Sequence, residues 1–98
     1  MRIYSYTTLR KFWGKYPDAR GQLEAWYEEM ENSNFSGPND IIANYPMADI
    51  VKNGRVVFNI CHNKYRIVAL FRYRFHTVYV RFIGTHREYD KIKDIENI

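Results

Sequence analysis

At 98 residues the chain is long enough for one compact domain around a single core and too short for two, so residues 1–98 are expected to form one unit. Hydrophobic residues make up 46% of it and aromatics 17%, and the charge-free stretches fall far short of the about 18–20 apolar residues a membrane span needs, which predicts a folded, soluble protein with no membrane partner. The net charge of +4 is divided unequally. Residues 1–49 carry five Lys/Arg against seven acids, residues 50–98 carry ten against four, and from Lys52 to Arg87 there are eight basic residues and no acid. A positive field of that kind suits a polyanion such as nucleic acid, although a merely solvated basic surface fits the count equally well.

The first residues, Met1-Arg2-Ile3-Tyr4-Ser5-Tyr6, lack the apolar core and small-residue cleavage site of a secretory leader, which predicts a cytoplasmic location. They read as a short extended segment. Thr7 or Thr8 can then cap a helix in which Leu9, Phe12, Trp13 and Tyr16 recur at helical spacing on one face, ended by Pro17. Asp18 can cap a second helix, with Leu23, Trp26, Tyr27 and Met30 on its apolar side and Glu24, Glu28, Glu29 and Glu31 on the other. The two stripes predict a helical hairpin whose aromatics belong to the core. Gly37-Pro38 opens a short stretch through Ala43, closed by Pro46.

From there the period changes to that of strands. Asn53-Gly54 is a strong two-residue turn signal between strands at about Ala48–Lys52 and Arg55–Cys61. His62-Asn63 turns the chain into Lys64–Arg72, and a looser turn around Arg74 and Phe75 leads into His76–Ile83. Cys61, the one cysteine, has no disulfide partner and is expected to be a small buried apolar group. The run Ile67-Val68-Ala69-Leu70-Phe71 is apolar at both alternating positions, so its strand should be central and covered on both faces, with Arg66 where exposure begins. The expected architecture is α+β: an N-terminal helical hairpin packed on a mainly antiparallel sheet of four to five strands.

Strand parity puts Lys64 and Arg66 on one face and Tyr79 with Arg81 on one face of the next strand, so that opposing strands could bring the pairs together. Gly84 should permit a bend out of the sheet and Thr85 cap a short helical turn carrying His86, Tyr89 and Asp90 at i, i+3 and i+4 on one side. An imidazole, a phenol and a carboxylate beside cationic strands suit cleavage of RNA by its own 2′-hydroxyl. That reaction needs a proton acceptor, fixed cations for the charge on the phosphorane and an acid for the leaving oxygen, and it needs no metal or other cofactor because the substrate supplies the nucleophile. His86 is the candidate acid or base, Arg66 and Lys64 the phosphate clamp, Tyr89 a stacking or proton-transfer group, and Asp90 an orienting partner of His86. Each has a plainer reading as a surface or strand-end residue. Cys61, His62, His76 and His86 match no metal-site spacing.

The run Val57-Phe58-Asn59-Ile60, then Asn63-Lys64-Tyr65-Arg66-Ile67-Val68-Ala69 and Val78 to Ile92 with its Thr85-His86-Arg87-Glu88-Tyr89-Asp90 segment, resembles the HigB family of toxins. Pro17-Asp18-Ala19 and Leu23-Glu24-Ala25-Trp26-Tyr27 fit its N-terminal helices, so the likeness covers nearly the whole chain. The resemblance implies a RelE-like fold and a messenger-RNA interferase, often acting on translating ribosomes, neutralised by a HigA-like helix-turn-helix antitoxin with which it could form a heterotetramer. It implies Arg66 and His86 as the firmest catalytic candidates, followed by Lys64 and Tyr89, with Arg81, Arg55, Asn63, Arg87 and Lys91 as RNA contacts. Asn63 is equally well explained as a left-handed turn residue. Two other classes remain open: a non-catalytic RNA- or ribosome-binding module using the same basic sheet, and an interaction domain whose basic face receives an acidic protein.

Overall fold

The computed structural model describes all residues, 1–98. In chain order the elements are β1 (Arg2–Tyr4), α1 (Tyr6–Lys15), a 3-10 turn (Pro17–Ala19), α2 (Arg20–Glu31), α3 (Pro38–Asn44), β2 (Asp49–Ile50), β3 (Arg55–Ile60), β4 (Tyr65–Arg72), a 3-10 turn (Tyr73–Phe75), β5 (Thr77–Thr85), α4 (His86–Asp90) and a last 3-10 turn (Ile95–Asn97). The strands form one five-stranded sheet in the order β1-β5-β4-β3-β2. Its pairings are antiparallel except that β1 runs parallel to β5. The protein is thus α+β, with helices packed on one face of a mixed sheet.

Local chemistry explains where the elements start, and corrects two expected caps. Helix α1 begins before Thr7 and Thr8 because Ser5, in extended conformation, accepts the Thr8 N–H through its Oγ at 3.3 Å. Asp18 does not cap α2. Pro17 starts a 3-10 turn that runs into α2 through Ala19 with helical backbone angles, leaving no extended cap position. In the sheet, Asn53 and Gly54 both have positive φ, 61° and 78°, as a tight hairpin turn requires. The β2 partner is only two residues long.

The core lies between the helices and one sheet face. Leu9, Leu23, Trp26, Met30, Phe35 and Ile41 meet Phe58, Tyr65, Ile67, Ala69, Phe71 and Val78, all buried. Truncating one of the large members to alanine would cost about 2–5 kcal/mol. Strand β4 is central, as its doubly apolar pattern predicts: Val68 and Leu70, pointing away from the helices, are buried too. We call that second side the open face. The end of the chain is drawn toward it by Arg55, whose Nε and Nη2 donate to the Ile98 carbonyl oxygen at 3.2 and 2.6 Å, and by Asn53, whose amide donates to Glu96 O at 3.2 Å.

Three expected boundaries shift. Cys61 is not a buried strand residue; it is partly exposed in a turn where Cys61, His62 and Asn63 all have positive φ. Lys64 closes that turn and precedes β4. Gly84 makes no bend: β5 continues through Thr85 before α4 begins. A Cβ there would stand 2.6 Å from Phe82 Cζ and 2.9 Å from Glu88 Oε1, so both side chains would have to shift.

Candidate active site

The short helix α4 is made possible by its cap. Thr85 Oγ1 accepts the Glu88 N–H at 3.1 Å, and the Glu88 carboxylate accepts the Thr85 N–H at 2.8 Å. The backbone bond to Thr85, ahead of a smaller opposing effect of burial, holds the Glu88 carboxyl below its usual range. A five-residue helix has little stability of its own, so this reciprocal cap and the His86 N–H bond to Lys64 O at 3.1 Å fix it on the start of β4.

Its geometry sets four of the singled-out side chains in two pairs. His86 Nδ1 and Asp90 Oδ2 share a hydrogen bond of 2.8 Å, one helical turn apart. With the ring nitrogen donating, the pair fixes the imidazole and leaves Nε2 without a partner. The Arg66 guanidinium lies over the Tyr89 ring at 4.9 Å from its centroid. Arg66 makes no ion pair, and its Nε is buried without a hydrogen-bond partner. Burial is the main influence on the Tyr89 phenol and pushes it above the ordinary tyrosine range; Arg66 pulls the other way, and Asp49 and Asp90 push it further up.

The remaining candidates lie elsewhere. Lys64 does not share the face of Arg66. Standing outside the regular strand, it turns to the helix side and pairs with Asp18, Nζ to Oδ2 at 2.5 Å. Tyr65 donates its phenol to the other oxygen of the same carboxylate at 2.7 Å. The Lys64 bond, then the Tyr65 bond, lower the Asp18 carboxyl below its usual range. The pairs Lys64–Arg66 and Tyr79–Arg81 do not meet: Arg66 stands opposite Gly84, and Tyr79 opposite Leu70. Arg55 donates to the Ile98 carbonyl oxygen and to Asn53 O. Asn63 is exposed with φ 78°, the turn role that its type allows. Arg87 and Lys91 are exposed on and just after α4, and Arg81 is exposed on β5. Burial, ahead of the Asp18 charge, pushes the Cys61 thiol up, which disfavours a nucleophilic thiolate.

Three residues that sequence reasoning missed act on the candidates, two of them in this region and Asp18 on the helix side. Phe82 packs against Tyr89 with ring centroids 6.4 Å apart, Asp49 is near enough to act on its phenol, and Asp18 holds Lys64. Asp49 could have been found from strand parity, because it pairs with Val57, which is opposite Val68 on the open face. Phe82 could not. A bulge between Val68 and Ala69 sets Tyr79 opposite Leu70 but Phe82 opposite Val68, so residues three apart in β5 share one face. No three His, Cys, Asp or Glu side chains gather closely enough to hold a metal ion.

The profile of the HigB toxin family, described as the RelE-like toxic component of a toxin-antitoxin system, matches residues 19–92. The chain is 29% identical over 92 residues to the mRNA interferase toxin HigB of Escherichia coli K12, covering 92% of this chain and 88% of that protein. The mRNA interferase HigB of Shigella flexneri matches at the same identity and coverage. That of Escherichia coli O6:H1 (strain CFT073) is 28% identical over 94 residues, covering 94% of this chain and 91% of the relative.

Proposed function

Because the chain belongs to the HigB family, the RelE-like toxic components of toxin-antitoxin systems, we propose that it is an mRNA interferase: an endoribonuclease that cuts messenger RNA and so stops translation. The observation that carries the reading is that one short helix, α4, bears both the His86–Asp90 pair and Tyr89, over whose ring the unpaired Arg66 guanidinium lies. Buried charges are ordinarily paired, and Arg66 is half-buried with its Nε unpartnered. This one keeps its donors for an anion.

In the proposed reaction the 2′-hydroxyl attacks the adjacent phosphorus. His86 Nε2 takes the hydroxyl proton, and Asp90 steadies the imidazolium that forms. Arg66 stabilises the added negative charge on the phosphorane with its fixed guanidinium. The bond from phosphorus to the 5′-oxygen then breaks and the imidazolium returns its proton to that oxygen, leaving a 2′,3′-cyclic phosphate and a 5′-hydroxyl. Tyr89 holds the guanidinium flat and keeps its phenol protonated at neutral pH. Since the substrate supplies the nucleophile, the reaction runs without a metal or other cofactor. Arg81, Arg87 and Lys91 contribute phosphate contacts, and Lys64 joins them when it leaves Asp18.

The setting proposed is cytoplasmic, on translating ribosomes. The inhibitor is a HigA-like helix-turn-helix antitoxin, two copies of each chain assembling as a heterotetramer. The deciding experiment is induction of the chain alone in a bacterium, wild type against His86→Ala, with mapping of new RNA ends. Growth arrest and cuts ending in cyclic or 3′-phosphate, present with EDTA and lost in the variant, support the reading. RNA binding without cuts would make the chain a binding module, and cleavage that needs a divalent ion would overturn the metal-free route.

A further inference from the structure

Arg66 and α4 occupy only one end of the open face. Toward the other end Leu70, Arg72, Phe75, Thr77, Tyr79 and Arg81 line a groove of about 360 Å³. Two features of it are not explained by folding. Phe75 leaves 70% of its surface in water and Tyr79 37%, the latter stacked on Tyr4 with ring centroids 5.4 Å apart and planes within 17°. Arg72 and Arg81 make no ion pair, and no carboxylate lines the groove. Large rings exposed beside unpaired cations are what successive bases and phosphates of a single strand require.

The bulge in β5 makes the groove continuous with the proposed catalytic end. Leu70 with Tyr79, Val68 with Phe82 and Arg66 with Gly84 are three successive cross-strand pairs on one face. Along β4 Arg72 lies six residues from Arg66, about 20 Å at the usual strand rise. We propose that this groove is a second RNA subsite, holding nucleotides that flank the scissile phosphate, with bases stacked on Phe75 and Tyr79 and phosphates on Arg72 and Arg81. The inference rests on the interferase reading and deepens it: the substrate is a single strand several nucleotides long, gripped at a distance from the bond that is cut.

The test uses the full chain and RNA with 2′-O-methyl groups throughout, which cannot be cleaved. Affinity is measured by fluorescence anisotropy for a dinucleotide and for an oligomer of about twelve nucleotides, with wild type, Phe75→Ala and Arg72→Ala. Phe75→Ala is expected to weaken binding of the oligomer about ten-fold and leave the dinucleotide unaffected, the ring being too exposed to support the fold. Arg72→Ala should reduce the salt slope of oligomer binding by about one. Unchanged oligomer affinity and slope in both variants overturn the subsite while leaving the interferase reading intact. So does intact RNA binding combined with a weakened antitoxin complex, which makes the groove a protein-docking face. Failure of the wild type to bind either RNA overturns the subsite, while the interferase reading stands or falls on the mapped RNA ends.

Discussion

Replacing Arg66 with alanine should cripple activity without costing stability, and the structure gives the size of each effect. Its guanidinium gains about 0.5–1 kcal/mol from the Tyr89 ring, the range for a partly exposed cation over an aromatic face. Against this, its buried, unpartnered Nε costs about 1–3 kcal/mol, relieved when the group is removed. The relief equals or exceeds the loss, so Arg66→Ala should leave the unfolding free energy unchanged or raise it by up to about 2.5 kcal/mol. On the reaction side, a preorganised donor facing the developing charge contributes on the order of 10²–10³ in rate. Arg66→Lys, a point charge without the planar fork, should fall between the two. Urea unfolding alongside single-turnover cleavage reads both quantities. An equally active Arg66→Ala protein, or one that loses more than about 3 kcal/mol of stability, would refute the argument.

Since the Tyr89 ring is what supports Arg66, Tyr89→Phe should retain cleavage within a few-fold and Tyr89→Ala should lose about as much as Arg66→Ala, on the order of 10²; equal damage from both would mean that the phenol transfers a proton. Asp90→Asn weakens the bond that fixes His86 and is expected to lower kcat on the order of ten-fold with KM unchanged, so a wild-type kcat would reduce the pair to a surface contact. Burial raises the phenols of Tyr27, Tyr45, Tyr65, Tyr73 and Tyr89 above their ordinary values. These groups keep their protons longer in the folded chain than in the unfolded one, so stability should be full below about pH 10 and decline as pH rises beyond it. A melting temperature that holds steady well above that pH contradicts this.

Both apolar helix stripes, the central placement of β4 and the Asn53-Gly54 hairpin were legible from residue spacing, because burial on one face or two imposes a period on the chain. The i, i+4 relation of His86 and Asp90 was legible for the same reason: it is fixed within one helical turn, whatever surrounds it. The HigB likeness was visible in the same segment. The helix starts were less so. Ser5, Thr7 and Thr8 all have the chemistry of a cap, and the choice fell to the one whose backbone is held extended at the end of β1.

What one sequence determined by itself, then, is the set of local relations: periods, turns, caps and the pattern of charge. What only the tertiary structure decided is which of the charged groups are already spent. Lys64 and Arg66 differ by two residues and look equivalent on paper, yet one is paired with Asp18 from the turn before α2 and the other faces Tyr89 unpaired. Arg55 donates to the Ile98 carbonyl oxygen. The same holds for the open face, where a single bulge realigns Phe82 with Tyr79. The physical reason is that an ion pair or a register shift depends on residues far apart in the chain meeting at a few ångströms, and no local period encodes that meeting.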